Sequence, residues 1–173
     1  MEQPSPDVLE RGRELVARRR ARLARLIQRP LTPPPASGDL TDERRTFLLE
    51  EAEELYWNEL SWEQVTEEEG LAESGLVELT FPGVLAFVEG LLLREVMPDS
   101  QAPARPRPEV VEDILAFLAA RVVELGRADD EESRIEREVT TRLMDLVLYR
   151  QHDIDVEEFE AIEEAPAPDS DGS

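Results

Sequence analysis

Proline placement is the strongest constraint on how this chain can fold. The 13 prolines fall in five places: Pro4 and Pro6; Pro30 and Pro33 to Pro35; Pro82; Pro98, Pro103, Pro106 and Pro108; and Pro166 and Pro168. Proline lacks a backbone donor and disfavours helical geometry in the residue before it, so it is tolerated at the first turn of a helix or outside one. The stretches between these groups are therefore where regular structure can form. Within them apolar residues recur at spacings of three, four and seven, the signature of helices buried along one face. Only "GLVELTF", residues 75–81, alternates as a strand would.

The first interval, Asp7 to Gln28, places Leu9, Val16, Leu23 and Ile27 on one face. "RPLTPPPASGD", Arg29 to Asp39, reads as an extended linker, which makes the first helix semi-detached. Thr41 or Asp39 can cap a second helix that follows Leu48, Ala52, Leu55 and Trp62 to about Glu69, with Gly70 as its stop. Thr80 caps a third, with Pro82 in its first turn, over the apolar run Phe81 to Leu93; here Ala86 and Gly90 form a small-residue stripe suited to close helix approach. "MPDSQAPARPRP", Met97 to Pro108, is a second linker. Helices are then expected over Glu109 to about Gly126, from about Asp130 to Arg150, and, shorter, over Asp155 to Glu164. The remaining acidic end has the composition of a disordered tail. The fold class is all-α: a bundle of about four core helices with a semi-detached basic N-terminal helix and a disordered acidic tail. Its parts are the helix at 1–30, a linker at 31–40, the bundle at 41–150 with an internal loop at 97–108, and the tail at 151–173.

Charge narrows the function. The chain has 41 acids against 19 arginines and no lysine, for a net charge of −22. Such a field disfavours nucleic acid and anionic lipid, so binding to either would have to be local. Without cysteine there are no disulfides, thiolate metal sites or cysteine nucleophiles, and together with the lack of an apolar leader this fits a reducing compartment, so the expected location is the cytoplasm. The longest apolar run, 13 residues including Glu89, is too short to span a bilayer, which takes roughly 20.

Most catalytic constellations fail for want of side chains. One histidine, His152, cannot supply paired metal ligands, and it reads as a surface side chain. A phosphate-binding loop needs a lysine that the chain lacks. One enzyme pattern survives: "EEAEE" puts Glu50, Glu51 and Glu54 at neighbouring helical positions, where three carboxylates could hold Mg²⁺. It resembles the EExxE half of the motif in all-helical nucleotide pyrophosphohydrolases. That family's second half, ExxD, is missing; Asp145 has Arg142 three residues before it. The bland alternative is a solvated acidic helix face, and no cofactor is expected.

Two surfaces suit a partner. Arg11, Arg18, Arg22, Arg25 and Arg29 fall within a stripe of roughly 60° on the first helix. Residues 1–30 hold eight arginines against four acids, +4, and the rest eleven against 37, −26. The stripe therefore fits an acidic protein surface, on another protein or a second copy of this chain, with packing on the chain's own bundle as the alternative; nucleic acid is a further alternative through this arm alone. On the second helix Trp62 projects with the core residues and Trp57 away from them, beside Glu50 and Glu54, unless the helix breaks near Asn58 or Ser61, changes face and buries both rings. An arginine can stack on such an indole while pairing with a carboxylate. Glu59 and Glu63 project into the apolar arc and must be paired if covered, with Arg121 and Arg142 as candidate partners. The sequence reading is thus a non-enzymatic helical interaction or assembly subunit that docks through Arg11, Arg18, Arg22, Arg25, Arg29 and Trp57, with the Mg²⁺-dependent hydrolase as the alternative.

Overall fold

A computed structural model describes residues 5–38, 40–60, 80–92 and 106–165. Among these residues there are six helices and no strand: α1 Pro6–Ile27, α2 Asp42–Glu59, α3 Pro82–Leu92, α4 Pro108–Gly126, α5 Glu131–Gln151 and α6 Val156–Glu164. The all-α reading holds. Residues 61–79 and 93–105, which include Trp62, Glu63 and most of the second linker, lie outside the described residues, as does the chain after Ala165.

Helix ends follow local chemistry. Ser5 Oγ accepts from the Val8 N–H at 3.3 Å, Thr41 Oγ1 from Arg44 at 3.1 Å and Asp130 from Ser133 at 3.0 Å. Asp155 and Glu158 form a reciprocal capping box at the start of α6. Helix α2 stops at Glu59, with Leu60 extended, ten residues short of the expected end. The stop has a physical counterpart. The Glu59 carboxylate accepts from the N–H groups of Gly83 at 2.6 Å and Val84 at 2.9 Å, so a side chain from α2 satisfies the first turn of α3. This is how Glu59 is accommodated on the apolar side. Arg121 instead pairs with Glu136 and Arg142 with Glu163.

Helix α4 is the hub, touching α1, α2, α3 and α5. Its buried residues Val110, Val111, Ile114, Leu115, Leu118, Ala119, Val122 and Leu125 cover half the helix circumference, wide enough to meet several neighbours. From α5, Val139, Leu143, Leu146 and Val147 pack inward, and Leu48, Ala52 and Tyr56 do so from α2. The Tyr56 hydroxyl shares a 2.7 Å hydrogen bond with Thr140, so the polar end of this buried ring is satisfied.

The first helix is not semi-detached. Val8, Leu15, Val16 and Leu23 are buried, and α1 packs extensively on α4. Gly12 permits this contact: a Cβ there would lie 3.0 Å from the Ala120 nitrogen and 3.3 Å from the Ala119 carbonyl carbon. The small-residue approach expected at Ala86 and Gly90 is therefore found at Gly12; around Gly90 a Cβ would meet nothing within 4 Å among the described residues. The Pro-rich linker is also tied down, with Leu31 and Leu40 on the core and Ser37 donating to Glu109 at 2.6 Å from its hydroxyl and 3.1 Å from its N–H. Short helix α6 closes the bundle, packing on α1 with Ile162 buried. The first part of the segment read as tail thus belongs to the folded body.

Candidate interaction surface

The arginines of α1 divide by angle. Arg19 and Arg20 follow Arg18 by about 100° and 200°, which carries them away from the predicted stripe and toward the buried side. Arg20 projects among Val16, Leu23 and Ile27 and is buried there. Its guanidinium donates to His152 Nε2 at 2.8 Å, to Glu112 Oε2 at 2.7 Å and to Gln151 Oε1 at 2.7 Å. Gln151 completes the network by donating to the same Glu112 oxygen. Arg19 grips Asp145 with two 2.6 Å hydrogen bonds. Arg29, beyond the helix, bonds both oxygens of Glu158 at 2.7 and 3.1 Å and the His152 carbonyl at 2.8 Å. Together these three arginines clamp α1 to the end of α5 and the start of α6.

His152 is correspondingly not a surface side chain. It is buried, and because its Nε2 accepts a hydrogen bond the ring is neutral. Burial, then the charges of Arg20 and Arg29, push its pKa down to about 4. One signal for this site is local in the sequence: an arginine inside an apolar seam requires buried acceptors. Their identity depends on residues 92 to 132 positions away.

Of the predicted stripe, Arg29 is spent on internal contacts, while Arg11, Arg18 and Arg25 are exposed and Arg22 is half-buried. Because the inner arginines hold the helix, this stripe is a fixed basic edge rather than a mobile arm. At its N-terminal end it borders a cavity of about 510 Å³ between α1, the last turns of α4 and the start of α5. Leu15, Val122 and Val123 line the floor of this cavity, and Arg11, Arg18, Arg127 and Arg137 rim it along with Asp7, Glu10 and Glu14. Asp7 bonds Arg127 at 2.6 Å and Arg11 at 3.3 Å, and these two guanidiniums, Arg127 foremost, hold its carboxyl below the usual range. The Arg137 guanidinium lies over Gly126, 3.6 Å from where a Cβ would be. Arg127 and Arg137 were not singled out from the sequence, since no local pattern connects them to α1.

Trp57 does not point away from the core. Its ring is partly buried and packed on the core, with its edge to Tyr56 at a centroid distance of 5.1 Å. The arginine expected on the indole is present and comes from the same chain: Arg121 of α4 lies with Cζ 4.7 Å from the ring centroid while pairing with Glu136. Burial pushes the Glu136 carboxyl up, against the opposing pull of Arg121. The Trp57 Nε1–H is buried without a hydrogen-bond partner among the described residues. Stacking chemistry was legible in the sequence; its donor was not.

Glu50 and Glu54 are exposed and Glu51 is partly so. Among the described residues no three histidine, aspartate or glutamate side chains converge to hold a metal ion, and this includes Glu50, Glu51 and Glu54. No described helix is long and apolar enough to cross a membrane.

No protein-family model, curated protein or solved structure matches the chain.

Proposed function

We propose that this protein is a non-enzymatic helical interaction subunit whose recognition surface is the basic edge of α1, formed by Arg11, Arg18, Arg22 and Arg25. One observation carries the reading: in a chain of net charge −22, the inner arginines lock α1 in place and leave Arg11, Arg18 and Arg25 in solvent. A row of guanidiniums held rigid loses little entropy on pairing with carboxylates and can do so bidentately. The complementary partner is therefore an acidic protein surface. Polyanions that lack shape complementarity meet the repulsion of the remaining body at distances inside the screening length of about 8 Å.

Trp57, included in the sequence-level site, is left out of this surface because Arg121 already occupies its face. The test is affinity purification from the native host with the wild type and with Arg11, Arg18, Arg22 and Arg25 all changed to Glu. The variant leaves Arg19, Arg20 and Arg29, which hold the helix, in place. Loss of the recovered partner with unchanged circular dichroism supports the reading. Undiminished recovery overturns it, and recovery of nucleic acid in place of protein would move the function to that class.

A further inference from the structure

Helix α1 is placed so that it can leave the bundle by itself. It packs on α4 and α6, while α2, α3, α4 and α5 also pack on one another without it. Two of its ties converge on His152, at the end of α5. The buried ring accepts at Nε2 from Arg20 of α1 at 2.8 Å, and the His152 carbonyl accepts from Arg29 at 2.8 Å. From α4, Glu112 faces the same node, but its Oε2 already accepts from both Arg20 and Gln151. Beyond the node, Arg29 faces Glu158 and Asp155 of α6 and Asp153 of the turn between α5 and α6. The charges that act on the ring itself are the two guanidiniums. A proton on Nε2 would remove the acceptor for Arg20 and leave two buried cations in contact.

From this geometry we infer that α1 is held by an acid-labile latch: protonation of His152 expels the Arg20 guanidinium and lets α1 lift from a bundle of α2 to α5 that stays folded. The inference goes beyond the basic-edge reading and does not depend on what that edge binds. Lifting α1 would dissolve the fixed edge as a consequence.

The other titratable groups act in two senses, divided by the side of the bundle on which they lie. On the α1 side, hydrogen bonds from Arg29 to Glu158 and from Arg127 to Asp7 hold both carboxyls below the usual range. Their contribution is present at neutral pH and is lost as pH falls through those lowered values, so they loosen α1 after His152 has done so. On the far side, burial raises the Glu136 carboxyl against the pull of Arg121, and burial raises Glu53 on α2. Groups with raised carboxyl pKa values favour the folded state as pH falls. Acid therefore weakens the attachment of α1 while these groups support the remaining bundle. The latch works between the ordinary histidine value of about 6.5 and the value of about 4 to which burial and the two arginines hold the docked ring.

The experiment is amide hydrogen exchange of the full chain, resolved helix by helix at pH 7 and pH 5 and corrected for the intrinsic exchange rate at each pH, for the wild type and His152→Gln. At pH 7 the α1 amides should exchange through an opening of their own, less protected than the interiors of α4 and α5. At pH 5 their protection should be lower by roughly 20- to 30-fold. In His152→Gln, whose amide oxygen still accepts from Arg20 without titrating, the loss should largely disappear. Protection of α1 equal to that of α4 and α5 at both pH values would mean that α1 opens only with the whole chain, and overturns the inference. A loss of the same size in His152→Gln also overturns it. If the variant does not fold, the wild type decides: a His152 ring that titrates near 6.5 by NMR, or an α1 no less protected at pH 5 than at pH 7, has the same consequence. The basic-edge reading fails separately, if partner recovery survives the four-arginine reversal.

Discussion

His152 offers a direct measure of whether α1 is locked onto the bundle. In the folded chain its pKa is about 4, while an unfolded histidine titrates near 6.5. Between these values the unfolded chain binds more protons, so stability rises with pH across the window and falls as pH is lowered through it. Lowering the pH from 7 to 5 removes about 2 kcal/mol. For a chain of this size that is a fall in Tm of roughly 4 to 7 °C. The assay is thermal unfolding at several pH values for the wild type and for His152→Gln, whose amide oxygen can still accept from Arg20 but does not titrate. Since this is the only histidine, the difference between the two curves isolates its contribution. Carboxyls such as buried Glu136 and half-buried Glu53, whose pKa values burial raises, act in the opposite direction and cancel in the comparison. Parallel loss of stability in both proteins, or an imidazole that titrates near 6.5 by NMR, would refute the buried Arg20–His152 contact and with it the fixed basic edge.

Two further outcomes test the packing that positions this edge. Gly12→Leu places a side chain where even a Cβ meets the Ala120 backbone nitrogen at 3.0 Å, and backbone cannot move aside as a flexible side chain can. It should cost about 1 to 3 kcal/mol, read as a lower midpoint in denaturant unfolding, despite the better helix propensity of leucine. Glu59→Ala removes the acceptor for the Gly83 and Val84 N–H groups and should cost about 1 to 2 kcal/mol in the same assay, with faster amide exchange at the start of α3.

The sequence by itself determined the class and most of the pieces. Proline marks helix boundaries through covalent geometry, and apolar spacing marks the buried face through the 3.6-residue period; both are local. Helices α1, α4, α5 and α6 accordingly lie close to their expected ranges, and Leu48, Ala52 and Tyr56 face inward as their projection requires. What only the tertiary structure decided concerns pairs distant in the chain. Periodicity places Glu59 on an apolar face in need of a partner, but does not show that this partner is the first turn of α3, and nothing local joins Arg20 to His152, Gln151 and Glu112. The linker misled for the same reason. Its prolines preclude a helix there, yet detachment does not follow, because docking of α1 depends on Gly12 meeting α4 and on Arg19 reaching Asp145, 126 residues away. Local rules specify which groups must be satisfied, and only the packed chain specifies by what, since a buried charge is matched in space and carries no mark of its partner in the neighbouring sequence.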